Sequence, residues 1–543
     1  MTPTGVGGAP PSSRWALALA GAVCWTLGCS PVEDGVFEMV ALSLAAEPVS
    51  VAENAGLISI PLRLNRPATA PILLDYRAVE LGAQSGCQTP DFQSAAGTLV
   101  WEAGQSEAVA ELWVEDDRLA ETDERLKLVF SSATGLQLPE PAELIIEIED
   151  DDRTALLEAS SFGLQPNQAF DQSAALQRAL DASGQSGRGV VVLAPGNYEI
   201  TGVVVPAGTT LSGAGAALYR PADAPVRAQT LTLEHAAASD SMPTLIEKLG
   251  LNGRRERQGA YRGYEREHAH LIAVRGDPAS AGRALLTLES VSVNESTGDG
   301  INLNTNVDAT LCRVQGNDLW RDMLSVRGGA TRVRLREVDV SATSGTSGLW
   351  FDVGTRGYGG TRRLDVELED VRLESGDVEL DVRDGSRVTV QRLVMTKAPF
   401  RLVALESSVS IADSVITTGI RSNAHNYWGP FLDVQLRNTT LRVSENDSEG
   451  TEEVTVPTTE AQRQLATVLI DWTSVDVSPP APPGRISFDA CRFELAGDIE
   501  ADDSVYAVDS PGAEASVRVT SGALGPSFAG WFAPGCPDCQ RAP

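Results

Sequence analysis

Two aspartates at a fixed spacing, Asp299 and Asp322, are the residues whose type and position most directly suggest chemistry. They stand in two copies of one short pattern, DGINL and DMLSV, 23 residues apart. A repeat of roughly 20–30 residues built from short strands is typical of a β-solenoid, whose turns stack about 4.8 Å apart. Two stacked carboxylates match the pair of a retaining glycosidase, in which one acid has a raised pKa. The alternative is that each aspartate caps backbone amides in an ordinary turn.

Basic residues near this repeat supply candidates for a second kind of reaction. Removing a proton from a sugar ring, as a lyase does, needs a base and a cation that stabilises the resulting carboxylate. His268 and His270 lie two residues apart at the start of a predicted strand, a spacing that alone does not make a metal site. The predicted catalytic set is therefore Asp299, Asp322, His268, Arg321 and Arg327.

Three long loops combine arginine with aromatic residues on an otherwise acidic chain. They span Asn252–His270, Gly354–Arg363 and Arg421–Gly429. Arginine binds a carboxylate through two parallel hydrogen bonds, and aromatic rings stack on sugar faces. Either the loops form a groove for a polysaccharide with uronic acids, or they are solvated insertions that cover strand edges. The predicted substrate-binding residues are Arg254, Arg257, Tyr261, Tyr264, Arg266, Arg356, Tyr358, Tyr427 and Trp428.

Carboxylates also cluster at the ends of short alternating strands between residues 38 and 152. Like charges crowded at loop ends are costly unless a cation bridges them. The acidic positions are Glu53, Asp91, Asp116, Asp117, Glu121, Glu124, Asp150, Asp151 and Asp152.

The strands that carry these acids predict an antiparallel β-sandwich over residues 38–152, because seven or so runs alternate with a period of two. The motifs VAENAG at 51–56, PDF at 90–92, EDD at 115–117 and DDD at 150–152 strongly resemble the Calx-beta domain. The resemblance implies that calcium is a cofactor. It implies calcium ligands at Glu53, Asp91, Asp116, Asp117, Glu121, Asp150, Asp151 and Asp152.

Residues 170–525 carry the solenoid pattern, and residues 153–169 are predicted to be a linker. Asp171 is a plausible helix N-cap, followed by apolar residues on one helical face and then the strand VVVLAPGNY at 190–198. This entry segment resembles pectate-lyase-type right-handed parallel β-helices. The fold class is therefore all-β, a Calx-beta sandwich followed by a right-handed parallel β-helix. That fold carries lyases, hydrolases and non-catalytic adhesins alike, and the paired Asp-Asp and Gly-His-Gly signatures of polygalacturonases are absent.

The N-terminal segment predicts export. Arg14, a short apolar stretch and Cys29 resemble a bacterial lipoprotein signal over residues 1–29. Lipidation of Cys29 would anchor the protein to the outer membrane or cell surface; otherwise it is secreted.

Residues 526–543 are predicted to be a C-terminal cap in which Cys536 and Cys539 form a disulfide. Cys312 and Cys491 are expected to be inward-facing thiols.

The overall charge of the chain argues against one class of function, nucleic-acid binding. The formal net charge is −31, which argues against nucleic acid as a partner because nucleic-acid binding needs a basic surface. Two functions remain open. One is a polysaccharide lyase or glycoside hydrolase acting on an acidic glycan, and the other is a non-catalytic, calcium-dependent surface adhesin or glycan-binding protein.

Overall fold

A computed structural model describes two β-rich domains joined in one chain. The described residues are 40–422, apart from 46, 82–90, 94, 132–134, 235–241, 259–267, 281, 342–346, 353–362, 397–399, 405–406 and 418–419; beyond 422 they are 433–437, 439–443, 468–471, 485–489, 492–495, 506–509, 516–519 and 540–541. Cys29, Cys491, Cys536 and Cys539 lie outside them. Among the described residues, no helix has the length and apolar character needed to cross a membrane.

The first domain is the expected sandwich. Buried and more exposed side chains alternate along its strands, as expected for sheets with one face in a core. In Glu124–Ser131, for example, Leu126, Leu128 and Phe130 are buried, and the residues between them are less buried. Within the described residues one sheet has four strands, in the order Glu107–Trp113, Leu57–Leu64, Val40–Ser43 and Leu136–Gln137. The other has five, in the order Val49–Ala52, Glu143–Glu149, Glu124–Ser131, Ile72–Glu80 and Ala96–Trp101.

The second domain is a parallel β-helix, which confirms the predicted all-β fold class. Two sheets run along it, called here the long sheet and the short sheet. The long sheet contains Ala155–Glu158, Gly189–Val192, Gly196–Glu199, Thr210–Tyr219, Thr244–Asn252, Ala284–Glu289, Ser292–Asn294, Val307–Cys312, Gln315–Asn317, Thr331–Val340, Leu364–Leu373, Arg387–Gln391, Val394–Met395, Ser408–Ala412, Val415–Thr417, Asp433–Arg437, Thr440–Val443, Arg485–Asp489, Arg492–Leu495, Ser516–Val519 and Gln540–Arg541. The short sheet contains Val203–Val204, Leu231–Glu234, Ile272–Arg275, Ile301–Asn304, Leu324–Arg327, Ser347–Asp352, Asp377–Val382, Phe400–Ala404, Ile420–Ser422, Val468–Asp471 and Tyr506–Asp509.

In seven described turns of the β-helix, the long sheet bends at a single residue. In Thr331–Val340 the inward alternation breaks at Glu337, whose φ of 53° is left-handed, and Val338 then faces the core. The pairing register stacks this bend on equivalent residues of neighbouring turns. Those residues, all with positive φ, are Lys248, Ser290, Arg313, Asp370, Arg392 and Asp413. Repetition of the bend keeps one apolar core continuous along the domain.

The segment 153–169, expected to be a linker, instead begins the β-helix. Ala155–Glu158 pairs in parallel with Gly189–Val192, because its alternating apolar residues extend the long sheet by one strand. The helix Ser173–Ser186 follows and covers the open end with Leu176, Ala179 and Leu180. The Asp171 Oδ1 atom accepts a hydrogen bond from the Ser173 N–H at 2.9 Å, next to the N-cap at Gln172.

Side chains of the two domains meet on the first turns of the β-helix. The Lys248 Nζ atom lies 2.7 Å from Glu124 Oε1 of the sandwich, and Arg313 Nη1 lies 3.3 Å from Glu80 Oε2. Cys312, beside this contact, is fully buried, but it is disulfide-bonded. The expectation of a free core thiol was therefore wrong. The strand alternation points Leu311 inward and Cys312 to the opposite side of the sheet.

Candidate functional site

The two aspartates that define the repeat stand at equivalent positions of neighbouring turns. Ile301 pairs with Leu324, so Asp299 stacks on Asp322, each two residues before its strand. The Gly300 N–H donates to the Asp322 carbonyl at 2.9 Å. A Cβ at Gly300 would lie 2.9 Å from the Met323 carbonyl oxygen, so the Asp-Gly step allows a close backbone approach. The predicted 23-residue register is confirmed.

Asp299 is fully buried and is held by polar neighbours. Its Oδ2 atom accepts a hydrogen bond from Asn302 Nδ2 at 2.9 Å, and Arg321 Nε lies 3.6 Å from its Oδ1 atom. Its own N–H donates to His270 Nδ1 at 3.1 Å. Burial lowers the pKa of His270 to about 4, although the Asp299 carboxylate acts in the opposite direction. His270 is therefore a neutral acceptor near pH 7, and its 3.2 Å contact with Asp299 Oδ2 becomes an ion pair only in acid.

Asp322 is 2% exposed. Arg321 Nη2 lies 4.0 Å from its Oδ2 atom. The Oδ1 atoms of both Asp299 and Asp322 make no hydrogen bond within the described residues. Burial, reinforced by the Asp299 carboxylate and then by Asp377, raises the pKa of Asp322 well above its usual range. Asp322 therefore keeps its proton to a higher pH than an exposed aspartate does.

The outer face of the short sheet beside these acids carries a cation and an aromatic ring. The Arg327 guanidinium lies 4.6 Å from the centre of the Trp350 ring, and both side chains are half-buried. Asn304 and Asp352 flank Arg327 in the ladder of paired residues. Such a surface can stack a sugar ring on Trp350 and pair its carboxylate with a guanidinium.

Sequence reasoning named some of this arrangement and missed other parts. Asp299, Asp322, Arg321 and Arg327 come together, and the His268 ring lies 6.2 Å from that of His270, the histidine that contacts Asp299. Arg254 stacks on Tyr219 and pairs with Glu199, and Arg257 is exposed. The missed members are Asn302, Trp350 and Asp377. Outside the described residues lie Tyr261, Tyr264, Arg266, Arg356, Tyr358, Tyr427 and Trp428.

A second candidate site lies at one end of the sandwich, where buried acids face one another. The Asp117 N–H donates to Glu53 Oε1 at 3.3 Å, and Glu53 Oε2 and Asp150 Oδ1 have no hydrogen-bond partner among the described residues. Burial, reinforced by Asp117, raises the pKa of Glu53 to about 8. Burial also raises the pKa of Asp117 to about 6. Carboxyl groups that lack positively charged partners have raised pKa values, and a bound cation would supply the missing positive charge.

The same end of the sandwich brings three further acids together. Oxygen atoms of Asp91, Glu121 and Glu124 all lie within 4.8 Å of one another. Burial, reinforced by Asp91 and Glu124, raises the pKa of Glu121 well above its usual range. Glu124 was not among the predicted ligands, although its place in the acidic loop was visible in the sequence. The donor set is all carboxylate oxygen, which calcium prefers.

Asp151, Asp152 and one oxygen atom of Asp150 already have protein partners, and Asp116 is exposed. Asp151 accepts from the Asn54 side chain, Asp152 pairs with Arg188, and Asp150 accepts from the Arg153 N–H at 2.9 Å.

Comparisons with known proteins give one family match and several similar solved structures. Residues 38–152 match the family model of the Calx-beta domain. The apo-form Calx CBD1 domain is similar at 23% identity, covering 21% of this chain and 100% of that one, with a TM-score of 0.20. A family 28 exopolygalacturonase of Yersinia enterocolitica shows 11% identity over 85% of this chain and 96% of its own, with a TM-score of 0.38. The A-module of mannuronan C-5 epimerase AlgE4 of Azotobacter vinelandii is 14% identical in sequence. The match covers 71% of this chain and 96% of that module, with a TM-score of 0.37. No curated protein sequence matches.

Proposed function

We propose that the protein binds an acidic polysaccharide on the short sheet and cleaves its glycosidic bonds, with Asp322 as the general acid. The observation that carries the proposal is the unequal environment of the two stacked acids. Burial and the neighbouring carboxylate raise the pKa of Asp322, while Asp299 accepts a hydrogen bond from Asn302 and lies beside Arg321. Glycoside hydrolysis requires two close carboxyl groups, one of which donates a proton.

The reaction would use the proton on Asp322 to release the leaving sugar. As the glycosidic C–O bond breaks, Asp322 gives its proton to the departing oxygen, and the Asp299 carboxylate attacks or stabilises the electron-poor sugar carbon. Water then completes hydrolysis and returns a proton to Asp322. Stacked positions about 4.8 Å apart suit a retaining pair, whose carboxyl groups are about 5–5.5 Å apart. Arg321 and Arg327 would orient a uronate carboxylate near this pair.

Glycan binding without catalysis is the second candidate, and one observation favours it. Asp299 is 0% exposed and Asp322 is 2% exposed, so a sugar reaches them only if covering residues move. Arg327 and Trp350 are half-buried, so part of each side chain is exposed. A binder would use this outer face alone, and the aspartates would serve the β-helix as turn residues.

We further propose that the sandwich holds calcium at Glu53, Asp91, Asp116, Asp117, Glu121, Glu124, Asp150, Asp151 and Asp152. The buried oxygen atoms without hydrogen bonds at Glu53 and Asp150 support this proposal. Calcium would neutralise the crowded carboxylates and order the loops that carry them.

Export also remains a proposal, in which residues 1–29 direct the chain out of the cytoplasm and Cys29 receives the lipid. Growth of an expressing bacterium with labelled palmitate should label the wild-type protein and leave Cys29→Ser unlabelled. Label-free wild-type protein in the culture medium would instead support plain secretion.

A polysaccharide screen with the purified mature protein tests the proposed reaction. Polyuronates and neutral glycans are incubated with protein, with calcium or with chelator, while reducing ends and ultraviolet absorbance are followed together. New reducing ends without absorbance indicate hydrolysis, and absorbance indicates a lyase instead. Retention of a polyuronate on an affinity gel without any cleavage would support the binding candidate.

A further inference from the structure

Two glutamates on the outer side of the long sheet are buried where outward residues are normally open. Glu247 pairs with Glu289 on neighbouring turns, and their exposures are 2% and 4%. Farther along the same ladder, the side chains of Arg336 and Glu369 are 38% and 32% exposed. The burial is therefore local to the first turns, next to the side chains that contact the sandwich.

Carboxylates of the two domains converge on one lysine at this junction. The Lys248 Nζ atom lies 2.7 Å from Glu124 Oε1 of the sandwich and 2.8 Å from Glu247 Oε2 of the β-helix. These two oxygen atoms therefore lie within about 5.5 Å of each other, the sum of the two contacts. Glu124 also belongs to the group of three sandwich acids whose oxygen atoms lie within 4.8 Å. The Glu247 carboxylate thus borders that group.

Carboxyl groups at the junction outnumber the described cations that contact them. Glu124 Oε2, Glu247 Oε1 and Glu289 Oε1 are buried and make no hydrogen bond within the described residues. The described cations that contact these acids are Lys248 and Arg313, the latter 3.6 Å from Glu289 Oε1. The Arg313 Nε and Nη2 atoms are themselves buried without a hydrogen bond in this part of the structure. Buried carboxylates require a cation or hydrogen-bond donors to offset the loss of hydration.

We propose that the junction is a divalent-cation site shared by both domains. The sandwich supplies its three clustered acids, the β-helix supplies Glu247, and Lys248 occupies the position when no cation is bound. This inference rests on the calcium binding proposed above and adds a contribution from the β-helix. Hard oxygen ligands from two domains suit Ca²⁺, whose coordination accommodates irregular carboxylate cages.

A shared site makes cation binding and domain docking reciprocal. A cation that binds better when Glu247 is in place must hold Glu247 against the sandwich by the same free energy. Calcium should therefore stabilise the strand Thr244–Asn252, although that strand lies in the other domain. A plain interdomain ion pair between Lys248 and Glu124 would show no such response.

Calorimetric titration of the full-length chain with CaCl₂ tests the proposal. Glu247→Gln should weaken one calcium-binding step by about 10-fold or more, because a charged ligand is lost. Lys248→Met should tighten the same step, because the competing ammonium is removed, and misfolding cannot mimic tighter binding. The matched control is Glu367→Gln, an exposed β-helix carboxylate away from the junction, which should leave the titration unchanged.

The outcomes separate this inference from the proposed calcium binding itself. If the wild type binds no calcium, the proposed function of the sandwich fails and the shared site fails with it. If the wild type binds calcium and neither Glu247→Gln nor Lys248→Met changes the affinity, only the shared site is overturned. Hydrogen exchange gives a second readout: calcium should slow exchange in Thr244–Asn252 of the wild type but not of Glu247→Gln. Equal slowing in both proteins would also overturn the shared site.

Discussion

Replacing Glu53 with glutamine should change how the calcium-free protein responds to pH. Burial, reinforced by Asp117, raises the pKa of Glu53 from 4.5 to about 8. Between these pH values the folded state holds a proton that the unfolded state releases. The free energy of unfolding therefore falls as pH rises. The stabilising contribution of Glu53 is fully present below about pH 4.5 and is lost as pH passes 8.

The size of the effect follows from the raised pKa. A change from 4.5 to about 8 corresponds to at most about 5 kcal/mol, at 1.36 kcal/mol for each pKa unit. Relaxation of the loop and screening by salt reduce this limit, so we expect about 2 kcal/mol between pH 5.5 and 8. In thermal unfolding that difference is roughly 5–10 °C in Tm for a domain of this size. Glutamine cannot ionise, so the variant should keep this stability at pH 8.

Thermal unfolding in chelator, followed from pH 5.5 to 8, measures the difference. Wild-type protein should lose stability across the range, and Glu53→Gln should lose about 2 kcal/mol less. Glu107→Gln, an exposed carboxylate of the same domain, is the matched control and should behave as the wild type. Saturating calcium should stabilise the wild type at pH 8, by about 2.7 kcal/mol at 100 times the Kd. Identical pH dependence in wild type and Glu53→Gln would refute the reasoning.

Three further changes test the short sheet and the β-helix core. Arg327→Gln should weaken polyuronate binding about 10-fold in affinity electrophoresis, because a guanidinium–carboxylate pair is lost, while neutral glycans bind as before; an equal loss for both would contradict this role. Gly300→Ala should cost about 1–3 kcal/mol in denaturant unfolding, because its Cβ would lie 2.9 Å from the Met323 carbonyl oxygen; Gly250→Ala, whose nearest contact would be 3.3 Å, should cost less. Leu311→Ala, fully buried, should cost about 2–5 kcal/mol in the same assay; a cost near zero would contradict its place in the core.

Local patterns in the sequence were sufficient to predict the architecture. Strand alternation predicted the sandwich, and the 23-residue spacing of Asp299 and Asp322 predicted the register that pairs Ile301 with Leu324. Both are short-range properties, because each turn of a β-helix repeats one local pattern. The strand Ala155–Glu158 was missed because four residues carry too little periodicity to distinguish a strand from a linker.

The sites depended on contacts that local patterns do not contain. Asp377 influences Asp322, yet a long insertion between their strands hides the repeat that relates them. Trp350 and Arg327 meet only through the pairing of their strands. Glu247 looks like an ordinary outward residue in the sequence, and only the neighbouring sandwich explains its burial. Contacts between distant segments therefore set the chemistry of each candidate site.

Reducing-end release from a polyuronate by Asp322→Asn tests the central claim most directly, that the stacked aspartates cleave a glycan. The account predicts that the wild type releases reducing ends and that Asp322→Asn loses about 10²–10⁴-fold in rate, as expected for removal of a general acid. Asp339→Asn, an exposed aspartate of the long sheet, should keep the wild-type rate. Unchanged cleavage by folded Asp322→Asn would contradict the claim.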